Sequence, residues 1–481
     1  MIRTERLIQW LINLDSLTFF RGIHHHRAIQ KLSQLCEILI PLLEAESEKS
    51  TEGLIIPSLS QKRSLARAWA EFLEALLRSE SPTKGTPQIE LNLYSIIADF
   101  VVQDENPLTL ILERYPAEQL EPEMSALAAA DLDRLYELAG LPLQDLADTV
   151  TCFVGSASEV CNKILNFDSY QYKDLENETN RVLPANSPWS AHLTELGNLI
   201  HTHGAGILGQ HQTFIWKQRK QIANETPARN SLYPVLNGDT ISLEDLSGYE
   251  AQRSVVIENT RRFIEGKTAN NLLLYGDRGT GKSATVKAVC RAFADRGLKL
   301  IEVRKGDLLH FEAIAERLSG RGLKFVLFID DLSFEATDDT FTSLKALLEG
   351  GLERRPANVV IYATSNRRHL VKEHFADRPT TALAAEALTT GDVRAFDTMQ
   401  EQLSLADRFG ISIVFTAPNQ DEYLAIAEAI AERRGLLPHK LDRQQFRENA
   451  LRWERWFNGR SPRTAQQFVD WLAGGEGFPW E

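Results

Sequence analysis

The stretch Gly276-Asp277-Arg278-Gly279-Thr280-Gly281-Lys282-Ser283 narrows the fold of this chain more than any other part of it. It is a complete G-x-x-x-x-G-K-[ST] loop. The apolar run Leu272-Leu273-Leu274-Tyr275 precedes it, and Ala284-Thr285-Val286-Lys287-Ala288-Val289, which reads as a helix, follows. Strand, glycine-rich turn and helix start are the setting in which such a loop cradles phosphates. The glycines let successive backbone N–H groups turn inward on phosphate oxygens, and the helix N-terminus adds the favourable end of its dipole. Lys282 is then placed to reach the β- and γ-phosphates, and Ser283 to hold Mg²⁺ through its hydroxyl. The loop implies a bound nucleoside triphosphate and an α/β layer to carry it.

Upstream, residues 1–225 read as mainly helical. Leu65, Trp69, Phe72, Leu73, Leu76 and Leu77 recur at three- and four-residue spacing, as do Leu7, Trp10, Leu11 and Leu14, and later Leu127, Leu132, Leu135 and Leu138. Such stripes are the buried faces of a helix bundle. Turn-forming residues break the pattern at 81–87 and 184–188. After a linker at 226–240, strands alternate with helices, as in a parallel sheet wrapped by helices. The expected strands are 271–275, 298–303, 325–329, 359–363 and 411–415, a five-stranded sheet, with helices at 282–294 and 340–348 between them. Beyond Pro418 the pattern is helical again, at 422–433, 443–456 and 462–472, and Trp453, Trp456 and Phe457 read as core of that part. The expected organisation is a helical N-terminal domain (1–225), the linker, an α/β core (241–418) and a small helical lid (419–481).

The formal charge is −13 and sits upstream: residues 1–230 hold 20 Lys and Arg against 30 Asp and Glu, and residues 231–481 hold 33 against 36. An acidic face repels phosphate backbones, which counts against nucleic acid as a ligand of the N-terminal half and leaves a protein partner for it. Cys36, Cys152, Cys161 and Cys290 form no C-x-x-C pair and read as reduced thiols. No apolar run approaches the roughly 18 residues of a membrane helix, and the start of the chain reads as an amphipathic helix, not a signal peptide. A cytoplasmic protein is expected. His24-His25-His26, and His201, His203 and His211, read as packed or solvated histidines before metal ligands.

A second motif follows the loop. Phe325-Val326-Leu327-Phe328-Ile329-Asp330-Asp331 is a buried strand ending in two carboxylates. There Asp330 can orient Mg²⁺ with Ser283, and Asp331 can polarise an attacking water. Val359-Val360-Ile361-Tyr362-Ala363-Thr364-Ser365-Asn366 is another strand with a polar end, and Asn366 is placed to help position the water. Arg408 stands just before the last strand, and Arg463 on the first turn of the last helix.

These five pieces, in this order, resemble the AAA+ ATPase family over about residues 235–481. The resemblance implies an α/β P-loop core with a helical lid, ATP and Mg²⁺ as cofactors, and hydrolysis. By it Gly276–Ser283 is similar to Walker A, Asp330 and Asp331 to Walker B, Asn366 to sensor 1, Arg408 to the arginine finger and Arg463 to the sensor 2 arginine. Ile241, Leu246, Gly248 and Tyr249 stand where family members line the adenine. More narrowly, Asp245-Leu246-Ser247-Gly248-Tyr249-Glu250, Phe328-Ile329-Asp330-Asp331-Leu332-Ser333-Phe334-Glu335 and Leu405-Ala406-Asp407-Arg408-Phe409-Gly410 resemble the bacterial domain-of-unknown-function 815 family. An arginine finger acts on a neighbour's site, so a homo-oligomer, a ring or partial ring, is implied.

Two features depart from the family pattern. Most hydrolysing members carry Glu where this chain has Asp331, which leaves Glu335 as an alternative base. The segment at 303–307 lacks the aromatic residue of protein-threading members. Three readings follow: an ATPase coupling turnover to conformational work on a partner, an ATP-gated switch with negligible hydrolysis, and a DNA-associated loader. The segment 367–403 is long for a connection, and reads either as an insertion packing on a neighbour or substrate or as surface elaboration.

Overall fold

A computed structural model describes residues 2–47, 57–79, 93–155, 178–217, 232–236, 241–332, 344, 348, 356–366, 408–437, 442–457 and 459–475. Glu335, the turn at 81–87, the segment at 367–403 and most of the helix expected at 340–348 lie outside the described residues. The chain forms two compact units, Met1–Gln210 and His211–Glu481.

In the first unit, helices Thr4–Asp15, Arg27–Ser47, Leu59–Ser79, Leu93–Gln103, Pro107–Arg114, Pro122–Ala139, Leu143–Val154 and Leu193–His203 share one apolar cluster. The stripes seen in the sequence supply it, including Leu65, Trp69, Phe72, Leu76, Leu132, Leu135 and Leu138. Leu77 and Leu127 do not: they are 40% and 46% exposed. Each residue advances about 100° around a helix, so Leu77 stands at the margin of the stripe beside Leu76, whereas Leu127 lies near the start of its helix, ahead of the buried residues that begin at Ala128. Several buried polar groups there are satisfied. The buried Asp131 carboxylate accepts from the backbone of Thr18 (2.8 Å) and Phe19 (2.7 Å) and from Arg134 (3.1 Å). Asn106 and Thr109 cap the helix at Pro107 reciprocally, each bond 3.0 Å. His24 Nε2 lies 3.1 Å from the Leu14 carbonyl. Among the described residues no His, Cys, Asp or Glu cluster is placed to hold a metal, and no helix is long and apolar enough to cross a membrane.

The second unit is built on a seven-stranded sheet. Its strands are β1 (Thr213–Trp216), β2 (Leu232–Pro234), β3 (Leu272–Gly276), β4 (Leu298–Glu302), β5 (Lys324–Ile329), β6 (Val359–Ser365) and β7 (Ile411–Phe415). They lie in the order β2-β1-β4-β5-β6-β3-β7, parallel except for the antiparallel pair β1–β2. The sheet thus exceeds the expected five strands by β1 and β2. Both are short, β1 falls inside the span read as helical, and β2 carries Pro234. Proline removes a ladder donor and weakens any strand signal, and is tolerated here because β2 is an edge strand.

Strands β5 and β6 are buried almost throughout and rich in branched and aromatic residues, as befits a sheet covered on both faces. β3 is flanked by β6 and β7, whereas its successor β4 pairs on the far side of β5. Such a reversal of strand order opens a crevice beyond the C-terminal strand ends. The lid helices Gln420–Arg433, Arg443–Trp456 and Pro462–Gly474 pack around Tyr423, Phe446, Trp453 and Phe468. Phe457 joins that cluster, but Trp456 is 61% exposed and is not core. The packed stripe runs through Phe446, Ala450, Trp453 and Phe457, and Trp456 lies beside it at the last residue of its helix.

Candidate nucleotide site

The loop at 276–283 leaves β3 and enters helix Lys282–Ala292. Gly276 has φ +129°, and a Cβ there would fall on the Phe415 carbonyl oxygen and 2.7 Å from its carbon. Only glycine lets the loop lie this closely against the end of β7, where the Asp277 N–H donates to the same carbonyl at 2.9 Å. Thr280 Oγ1 closes the turn by donating to the Asp277 carbonyl at 2.8 Å. Arg278 is exposed. Lys282 is 6% exposed, and its ammonium donates to the carbonyls of Gly276 (2.9 Å) and Asp277 (2.6 Å). Burial pushes its pKa below the ordinary lysine value, while Asp277, Asp331 and Asp330 pull it the other way.

Across the crevice, the strand register sets Thr364 of β6 beside Asp330 at the end of β5. Asp330 Oδ1 accepts from Ser283 Oγ (2.6 Å), Thr364 Oγ1 (2.5 Å) and the Asp331 N–H (3.1 Å). Asp331 has φ +51°, a left-handed conformation in which Asp is enriched among non-glycine residues. The shorter acid thus suits this backbone. The Asp331 N–H also donates to Thr364 Oγ1 at 3.0 Å, and its Oδ1 accepts from Asn366 Nδ2 at 2.7 Å. A serine hydroxyl beside an aspartate carboxylate is the hard-oxygen donor set that suits Mg²⁺.

Beside the chain that follows β7, a cavity of about 710 Å³ is lined by Leu246, Gly248, Tyr249, Thr416, Pro418 and Ile426, among others. Leu246, Gly248 and Tyr249 line it; Ile241 does not. The Tyr249 hydroxyl donates to the Thr416 carbonyl at 2.6 Å, and its ring lies 5.1 Å from that of Phe415. Burial, then the charges of Glu422 and Asp277, push its pKa up to about 12. The Asp277 carboxylate accepts from the Ala417 N–H at 2.5 Å, so this loop residue braces the chain where β7 leads toward the lid.

Ser461 caps the last lid helix, and the Arg463 N–H donates to the Gly279 carbonyl at 3.2 Å, which brings that helix start against the loop. The Arg463 side chain is exposed there. Arg408 lies elsewhere. Leu272 pairs with Ile411 and Gly276 with Phe415, so Arg408 precedes the end of β7 opposite the loop. The four steps from 411 to 415 alone span about 13 Å. Two participants had no role in the sequence reading, Thr364 and Ser461. Thr364 stands two positions before Asn366, and period-two alternation along the sequence pairs the two on one side, which is the signal that could have found it. Ser461 stands three residues before Thr464, whose N–H it accepts at 3.1 Å, as helix caps do.

Residues 210–476, more than half of the chain, match the profile of a family described as "Protein of unknown function (DUF815)". Among solved structures, Thermotoga maritima RuvB, titled a Holliday junction branch migration motor, is 18% identical with a TM-score of 0.31, over 49% of this chain and 64% of its own. An alanine-to-serine variant of the Thermotoga RuvB gives 17% identity and a TM-score of 0.32, over 49% of this chain and 65% of its own. This chain thus spans less than two thirds of the length of either structure. Among curated proteins, none matches.

Proposed function

Since the chain belongs to the DUF815 family, and its phosphate-type loop faces two carboxylates and an amide tied together by hydrogen bonds, we propose that it is an AAA+ ATPase that binds and hydrolyses Mg-ATP. The observation that carries this is the Ser283–Asp330 contact of 2.6 Å, which joins the loop to the strand-end carboxylate. Backbone N–H groups of 276–283 and Lys282 hold the phosphates, and the cavity beside Tyr249 takes the base. Ser283 and Asp330 would hold Mg²⁺, which supplies charge neutralisation on the phosphates when bound. Asp331, aimed by Asn366, accepts a proton from the attacking water. Arg463 reaches the phosphates from the lid.

Arg408 serves the site of a second copy. Its position at the opposite end of the sheet from the loop supports this, because the separation exceeds the reach of an arginine side chain. The protein then works as a homo-oligomer whose turnover depends on assembly, and the helical unit at 1–210 engages the partner on which conformational work is done. Phosphate release measured against protein concentration, for the wild type and Arg408→Ala, tests this. Specific activity that climbs with concentration in the wild type and collapses in the variant is the expected result. Equal activity of the two proteins at every concentration rejects the shared site, and ATP bound without release in any condition rejects the hydrolase in favour of a nucleotide-gated switch.

A further inference from the structure

We propose that Thr364 is a positioning residue whose single hydroxyl holds both the Asp330 carboxylate and the Asp331 backbone of the nucleotide site, an inference that rests on the Mg-ATP reading above. Thr364 is 2% exposed on β6, between the strand that ends in Asp330 and the strand that enters the loop. Its hydroxyl donates to Asp330 Oδ1 at 2.5 Å and accepts from the Asp331 N–H at 3.0 Å. Its carbonyl accepts from the Leu332 N–H at 2.7 Å. One residue therefore grips three successive residues at the end of β5.

Each grip has a separate consequence. Asp330 Oδ1 takes its side-chain donors from Ser283 and Thr364. With Ser283 Oγ turned to a cation, Thr364 is the side chain that keeps the Asp330 carboxylate aimed. Asp331 stands at φ +51°, a conformation that costs a non-glycine residue free energy unless its surroundings fix it. The Thr364 oxygen supplies that fixing from the backbone side, and Asn366 from the side chain. A hydroxyl is required because only a hydroxyl both donates and accepts at one atom. Thr364 thus couples the cation side of the site to the base side.

The test uses the full chain, a fluorescent methylanthraniloyl-ATP, and a Mg²⁺ titration of its binding beside binding in EDTA. Valine keeps the shape and the β-branch of threonine at 364, so Thr364→Val removes the hydroxyl alone. Its apparent Mg²⁺ affinity is expected to fall by about 10- to 100-fold, as for lost outer contacts of metal ligands, with EDTA binding changed by less than about 2-fold. Thr364→Ser keeps the hydroxyl and is expected to track the wild type. Thr364→Ala is the second test of hydroxyl loss should the valine variant not fold. Unchanged Mg²⁺ dependence in the folded valine or alanine variant overturns the inference, as does equal impairment in serine and valine. A wild-type protein that binds no nucleotide overturns both this inference and the reading beneath it, so the two failures are told apart.

Discussion

Replacing Gly276 by alanine tests how the loop is seated on the sheet, and Gly281→Ala provides its control. At Gly276 two costs add. The backbone stands at φ +129°, which an L residue adopts at about 1–3 kcal/mol. The new Cβ also meets backbone atoms of Phe415, which cannot rotate away because β3 and β7 are paired from Leu272↔Ile411 to Gly276↔Phe415. Forcing atoms into a packed site costs a further ~1–3 kcal/mol. At Gly281, φ is +88° and nothing lies within 4 Å of the Cβ position, so only the left-handed backbone cost of about 1–2 kcal/mol remains. Gly276→Ala should therefore be less stable than Gly281→Ala by about 1–4 kcal/mol. Urea titration followed by hydrogen exchange of peptides spanning β3 and β7 reads the second unit separately from the first. A Gly276→Ala protein as stable as Gly281→Ala would refute the close seating of loop on strand.

Other expectations concern the chemistry. Lys282→Ala should weaken ATP binding roughly 100-fold or more, since the charge-assisted hydrogen bonds proposed from its ammonium to the β- and γ-phosphates, about 1.5 kcal/mol or more each, would be lost; equilibrium binding of labelled ATP measures it. Asp331→Asn should keep ATP but stop turnover, and normal phosphate release by that variant would move the base to another residue, with Glu335 next in line. Burial holds the Lys282 pKa below its ordinary value, and phosphate oxygens would raise it. ATP binding should then take up protons in alkaline buffer and weaken as pH rises through the free-state value. Calorimetry in two buffers of different ionisation enthalpy reads that uptake, which Lys282→Arg, always charged, should abolish.

Local patterns made much of the site legible in advance. The loop at 276–283 is defined by consecutive residues, and Asp330, Asp331 and Asn366 announce themselves as polar groups ending apolar strands. Five of the strands were readable as short apolar runs, and the three lid helices from their helical spacing. β1 and β2 were not. Strands of four and three residues carry too little alternation to read, and their pairing with β4 and with each other joins residues far apart in sequence. Exposure at the margins of a stripe, as for Leu77, Leu127 and Trp456, depends on which neighbours arrive.

By itself, then, the sequence marked the residues proposed to touch phosphate and metal, because backbone freedom and donor chemistry are local properties. The tertiary structure alone decided that Gly276 lies against Phe415, that Thr364 stands beside Asp330, and that Arg408 is at the end of the sheet away from its own loop. Those relations follow from strand order and register, which are fixed by burial of both sheet faces across long stretches of chain, and no short window of residues contains them.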